Sequence, residues 1–94
     1  MTGKSILSIG EAMVELSPSG QGGLWRLGIA GDTLNTAWYL RRLLPTDWRV
    51  AYCSRVGLGE FSQQMVDFLA AEGIDATHVG RDPGHEIAVY AISL

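Results

Sequence analysis

Hydrophobic and polar positions change period several times along this chain. Ser5 to Gly10, "SILSIG", is a short apolar run closed by glycine, the pattern of a buried strand that opens an α/β unit. Met13, Val14 and Leu16 form a second extended stretch, and "PSGQGG" after it is a turn-rich loop. In "LWRLGIA", Leu24, Arg26 and Gly28 alternate with Trp25, Leu27 and Ile29, which predicts an antiparallel strand with one exposed face. Residues 15–29 therefore read as a hairpin that projects from the first strand.

Helical spacing follows. Leu34, Ala37, Leu40 or Arg41, and Leu44 recur on one side of a helix predicted from about Asp32 to Leu44, with Asp32 as N-cap and Pro45 as stop. "RVAYCSRVG" predicts a second buried strand, from Arg49 to at least Cys53. In "GEFSQQMVDFLAAEG", Phe61, Met65, Phe68 and Leu69 fall at i, i+4, i+7 and i+8, a single apolar stripe. Gly73 is placed for a left-handed C-terminal cap, with Ile74 folding back on Leu69. "ATHVGRD" reads as a short strand and turn, and "EIAVYAISL" as a strongly β-prone segment.

The order is β, hairpin, α, β, α, β, β. Strands alternating with helices imply an α/β layered fold with a parallel sheet, and the hairpin and last strand are candidates to pair outside it. Leu94 closes an apolar strand with no polar tail, and two helices are thin cover for both faces of a parallel sheet. The expectation is a piece of a longer protein.

Composition narrows the classes. Ninety-four residues, 47% of them apolar, suit one small globular domain at most. A net charge of -3 without a basic stripe argues against a nucleic-acid partner. The lone Cys53 excludes an internal disulfide and fits a cytoplasmic setting. The sequence shows no signal peptide and no apolar run of about 18 residues, so no membrane partner is expected.

"GLGEFS", Gly57 to Ser62, nearly matches the dinucleotide fingerprint G-x-G-x-x-G/A. Ser62 stands where a third small residue is needed, and Glu60 would repel a pyrophosphate. His78 and His85 lack a second ligand at metal spacing and read as surface residues. More interesting is "AGDTLN". Gly31, Asp32 and Asn35 share one face of a helical first turn. A carboxylate, an amide and a bare backbone suit a polyhydroxylated ligand, whose hydroxyls donate and accept. The same residues also suit ordinary helix punctuation, and both readings stand on chemistry alone. Glu15 is a further carboxylate within reach of such a cleft, or a solvated side chain.

Taken together, these motifs resemble the N-terminal part of the ribokinase-like, phosphofructokinase-B-type carbohydrate kinases, and are most similar to the 2-keto-3-deoxygluconate kinases among them. "SILSIGEAMVELSP" is similar to the first strand and the start of their lid, "AGDTLNTAWYLRRL" to the signature G-G-x-x-x-N-x-A, and "SRVGLGEFSQQMVDFLAAEGIDATHV" to the segment with V-G-x-D-x-F-G. "EIAVYAISL" resembles a lid strand that carries a tyrosine, here Tyr90. Ala30, Gly59 and Ser62 depart from the pattern, standing for glycine, aspartate and glycine.

The resemblance implies a three-layer α/β/α fold with a β-sheet lid, the lid at about 13–29 and 86–94 and the core at about 4–12 and 30–80. It implies an ATP- and Mg²⁺-dependent kinase for a sugar or sugar acid, with Gly31, Asp32, Asn35, Tyr90 and Glu15 at the sugar. The family's catalytic aspartate lies in a late G-A-G-D motif that is absent here, as is any nucleotide pocket. The 94 residues are expected to hold part of the sugar site and to be inactive alone. A homodimer through the lid strands is a further expectation. The alternative is a small stand-alone module, binding a nucleotide at Gly57–Ser62 or a partner along Ile87–Leu94.

Overall fold

The computed structural model describes residues 3–92. Eight elements follow in order: β1 (Ser5–Ile9), β2 (Met13–Pro18), β3 (Trp25–Ala30), α1 (Asp32–Leu43), β4 (Arg49–Val56), α2 (Glu60–Ala71), β5 (Val79–Arg81) and β6 (Ala88–Ala91). They form a mixed α/β fold with two three-stranded sheets. One sheet, in order β1-β4-β5, is wholly parallel. The other, in order β3-β2-β6, pairs β2 antiparallel to β3 and parallel to β6. The hairpin and the last strand thus do pair with each other outside the first sheet. Ser93 and Leu94, which end the predicted β-prone segment, lie outside the described residues.

The core forms where the helices cover one face of the first sheet. Val50, Tyr52 and Val56 of β4 meet Leu34 and Ala37 of α1 and Met65 and Leu69 of α2, all buried. Each large side chain there contributes about 1.5–3 kcal/mol by leaving water. The opposite face is open along β1, although Ala51 of β4 on that face is buried. Register pairs Leu7 with Ala51 and Ile9 with Cys53, and Leu7 and Ile9 are 45% and 65% exposed. The expectation of a strand buried on both faces therefore fails for β1, which lies at a sheet edge with one covered face.

Helix ends follow their local chemistry. Gly73 adopts φ 73° after α2, and the amides of Gly73 and Ile74 donate to the carbonyls of Ala70 and Leu69 at 3.2 and 2.9 Å. This is the predicted Schellman closure. At the end of α1, Leu44 turns extended before Pro45, and the Arg41 guanidinium donates to the carbonyls of Pro45 and Trp48. Between the helices, Trp38 Nε1 and Arg42 both donate to Glu72 Oε1, and the Arg42 guanidinium stacks 3.8 Å over the Trp38 ring.

Three of the four predicted stripe residues on α2, Met65, Phe68 and Leu69, pack into the core, and Phe61 is the exception. Ser62, Met65 and Leu69 are buried, Phe68 is half-buried and Phe61 is exposed. The helix is turned so that a serine faces inward, which the packing of the loop before β6 requires (below).

Asp75 links β4 to the chain after α2. Its amide donates to Val50 O, its carbonyl accepts from Tyr52 N, and its carboxylate accepts from Thr77 and Arg49. Hydrogen bonds from the Thr77 hydroxyl and amide, then Arg49, hold its pKa down at about 2. A carboxyl whose folded pKa is depressed stabilises the fold above its unfolded pKa of about 3.9 and loses that contribution as the pH falls through the folded value. Stability contributed by Asp75 is therefore expected to disappear between about pH 4 and pH 2. Urea unfolding across that window should show a shallower acid decline for Asp75→Asn than for the parent chain.

Candidate active site

A cleft of about 440 Å³ opens where the second sheet meets the first turn of α1. Glu11, in the link after β1, and Met13 and Glu15 of β2 form one wall. Ala30 and Gly31 form the turn, α1 adds Asp32, Thr33 and Asn35, and β6 adds Tyr90. All five residues expected at a sugar thus line one cleft. Ligands in open α/β sheets commonly sit beyond the carboxyl ends of parallel strands. Glu11 follows β1 there, so that rule points to it, whereas no local signal singles out Thr33.

Sequence spacing explains the convergence. Glu15 and Tyr90 are register partners in the β2–β6 pair, so their side chains leave the same face. The Tyr90 hydroxyl donates to Glu15 Oε1 at 2.6 Å. This bond to a carboxylate favours the protonated phenol and raises the Tyr90 pKa above its usual value.

Gly31, not Asp32, is the N-cap of α1. Its φ of 147° and ψ of 142° suit glycine, and its carbonyl accepts the Asn35 amide at 2.8 Å. A Cβ at Gly31 would come within 2.7 Å of the Glu11 carbonyl oxygen and 3.3 Å of Ala12 Cα. Asp32 sits one residue further on, inside the first turn, where its charge complements the helix dipole without capping. No side chain caps the helix, whose first turn lines the cleft through Asp32 and Thr33, and the amides of such a turn have no partner within the helix.

Thr33 is held from below. Its Oγ1 lies 2.9 Å from the Tyr52 hydroxyl and its carbonyl accepts from Ser8 Oγ at 2.8 Å. Burial pushes the Tyr52 pKa up, keeping this hydroxyl neutral. Gly10 leaves room for the arrangement, since a Cβ there would stand 2.1 Å from Thr33 Oγ1.

The lining is rich in acceptors: Glu11, Glu15 and Asp32 supply three carboxylates, and neither lysine nor arginine lines the cleft. The Asn35 amide and the helix amides are the donors. This set matches neutral hydroxyls and repels polyanions. At the other candidate position, the Gly57–Ser62 turn, Glu86 already places its carboxylate against Gly59. Ile87 is buried and β6 pairs with β2 along one side, which leaves the outer edge of β6 without a strand partner among the described residues. His78 and His85 are exposed, and no group of metal-ligating side chains occurs among the described residues. No helix among them is long and apolar enough to cross a membrane.

The sequence profile of the family described as pfkB family carbohydrate kinase matches residues 4–94. The chain belongs to the pfkB family of carbohydrate kinases. It is 37% identical over 92 residues to the 2-dehydro-3-deoxygluconokinase of Haemophilus influenzae, covering 97% of this chain and 29% of that relative. It is 41% identical over 75 residues to the 2-dehydro-3-deoxygluconokinase of Escherichia coli K12, covering 79% of this chain and 24% of the relative. The chain thus spans under a third of the length of these curated relatives. Among solved structures, the fructokinase from Vibrio cholerae O395 superposes with a TM-score of 0.87 in its apo form and 0.85 in its fructose, ADP and calcium ion bound form. Both show 27% identity and cover 97% of this chain, and 30% and 28% of the respective fructokinase chains. Against this pfkB pattern, two of the departures seen in the sequence, Gly59 and Ser62, both lie against Glu86 in space.

Proposed function

We propose that this chain supplies the sugar-holding part of a kinase acting on 2-keto-3-deoxygluconate or a closely related sugar acid, with the β3-β2-β6 sheet as lid. The observation that carries the reading is the cleft itself, in which Gly31, Asp32, Asn35, Glu15 and Tyr90 converge. The identity to two 2-dehydro-3-deoxygluconokinases supports the substrate class.

The residues have distinct roles in this reading. Asp32 and Asn35 accept from and donate to hydroxyls, and Gly31 leaves the helix amides accessible at close range. Tyr90 donates to Glu15, so its oxygen is oriented to accept from a substrate hydroxyl. Beside that carboxylate it is poorly placed for a substrate's acid group, so the cleft grips the hydroxylated end of the molecule. Strands β3 and β6 lie at the two edges of the second sheet, where a second copy pairs in the dimer of this reading. The setting is cytoplasmic.

ATP with Mg²⁺ is the phosphoryl donor the family implies, and it does not fit the residues present. The cleft offers three carboxylates and no cation, and Glu86 fills the glycine turn. No G-A-G-D aspartate occurs in the sequence to take the hydroxyl proton. This chain therefore orients a substrate and transfers nothing by itself.

Calorimetric or NMR titration with 2-keto-3-deoxygluconate tests the proposal. Binding is expected for the parent chain, weakened about tenfold or more in Asn35→Ala, in line with about 1.5 kcal/mol for a hydrogen bond to a bound hydroxyl. Adenine nucleotides should not bind. Equal affinity in Asn35→Ala, or turnover by the chain with ATP, would contradict it.

A further inference from the structure

The anchoring of β6 on α2 is used by nothing described so far. Ser62 is fully buried one turn into α2. Its Oγ accepts the amides of Gly57 and Ile87 at 2.9 and 3.2 Å, and donates to Glu86 Oε1. That oxygen also accepts the Ile87 amide at 2.8 Å. The second carboxylate oxygen occupies the space beside Gly59, where a Cβ would come within 1.9 Å of it. The backbone is as close at Gly57, where a Cβ would stand 1.9 Å from the His85 carbonyl oxygen. Residues 85–87 thus lie directly on the turn that opens α2.

Glu86 immediately precedes buried Ile87, and Tyr90 follows three residues later in the cleft. The intervening strand β6 is four residues long, lies at a sheet edge, and has β2 as its pairing partner. A short edge strand is held weakly by its ladder alone. Its foot is held by the burial of Ile87 in the core and by hydrogen bonds to Ser62 and Glu86, and the Glu86 carboxylate makes its bonds charge-assisted, near the positive end of a helix.

We infer that Glu86 is a positioning residue: by filling the space left at Gly59 and engaging Ser62, its carboxylate fixes the foot of β6 on α2 and thereby sets where Tyr90 stands in the cleft. The consequence for a ligand rests on the sugar-site reading above; the anchoring does not.

Amide hydrogen exchange on the whole chain tests it. Glu86→Ala is expected to speed exchange at residues 89–91 about tenfold, with amides around Met65 in α2 unchanged. Glu86→Gln keeps the acceptor oxygen and should recover most of the protection. Gly59→Ala is the decisive variant. The Gly59 backbone, at φ -76°, accommodates alanine without strain, so a purely local effect would be neutral. Its Cβ displaces the carboxylate, so it should loosen β6 as much as Glu86→Ala does. The double variant should be no looser than either single one, because both break the same anchor.

Unchanged exchange in β6, loosening spread evenly over the fold, or additive effects would overturn the proposal. Affinity for 2-keto-3-deoxygluconate is read on the same variants. Loosened β6 with undiminished affinity would overturn the link to the cleft. A parent chain that binds no sugar acid would refute the sugar-site reading, while the exchange pattern would still decide the anchor.

Discussion

Gly31→Ala is expected to destabilise the chain by about 2–3 kcal/mol, measured by urea or thermal unfolding. Two effects combine. The backbone at φ 147° and ψ 142° lies where only glycine is comfortable. The new methyl would also press on the Glu11 carbonyl, which belongs to the link between the two sheets. For a small domain whose total stability is about 5–15 kcal/mol, this is a large fraction. Gly28→Ala, three residues earlier in β3, is the control. Nothing lies within 4 Å of a Cβ there, so the change should stay within about 0.5 kcal/mol. An equal loss at both positions would show that general glycine effects, not the turn at Gly31, govern the result. Where Gly31→Ala does fold, the first turn of α1 must move away from Glu11, and the cleft between them widens.

The second large effect separates two faces of α2. Leu69→Ala should cost about 2–5 kcal/mol, because Leu69 is fully buried between the helices and the first sheet and the space it leaves cannot close. Phe61→Ala should cost clearly less than Leu69→Ala, since Phe61 is 36% exposed at the start of the helix whereas Leu69 is fully buried. Hydropathy spacing alone expects the two to be comparable. Equilibrium unfolding of both variants therefore reads out which way the helix is turned, independently of any ligand.

That contrast shows what the chain's local pattern can and cannot express. Element order, the hairpin, the stop at Pro45 and the closure at Gly73 all depend on residues within a few positions of one another, and all were legible. Ser62 joins Met65 and Leu69 on the buried face of α2, where the chain around Glu86, 24 residues later, returns onto it. No hydropathy pattern marks such a residue as internal. The parallel pairing of β2 with β6, 75 residues apart at Glu15 and Tyr90, is equally invisible locally. Element order makes the hairpin and the last strand candidates to pair, but their parallel sense and the register that sets Tyr90 beside Glu15 lie beyond it, and Tyr90 itself stands out only through resemblance to a lid strand.

The cleft was legible where helical spacing generates it. Gly31, Asp32 and Asn35 lie together because they occupy adjacent steps of one turn. The assignment of Asp32 as the cap was displaced by one residue, because the turn into α1 uses glycine geometry in place of a side-chain acceptor. Glu11 carries no motif signal of its own, and its place just after the first strand is the physical reason to consider it.

The packing of the helical layer also gives the molecule built-in optical reporters. Trp38 lies between α1 and α2 with its indole hydrogen-bonded to Glu72 and stacked beneath Arg42, Trp25 is exposed on the hairpin, and Trp48 lies near the Lys4 ammonium at the entry to β4. Their emission should differ in wavelength and in quenching by iodide, because a solvent-exposed indole and one stacked under a guanidinium relax differently. Single-tryptophan versions of the chain can thus follow the hairpin, the helix pair and the first sheet separately. They would show whether the two sheets come apart together or in sequence.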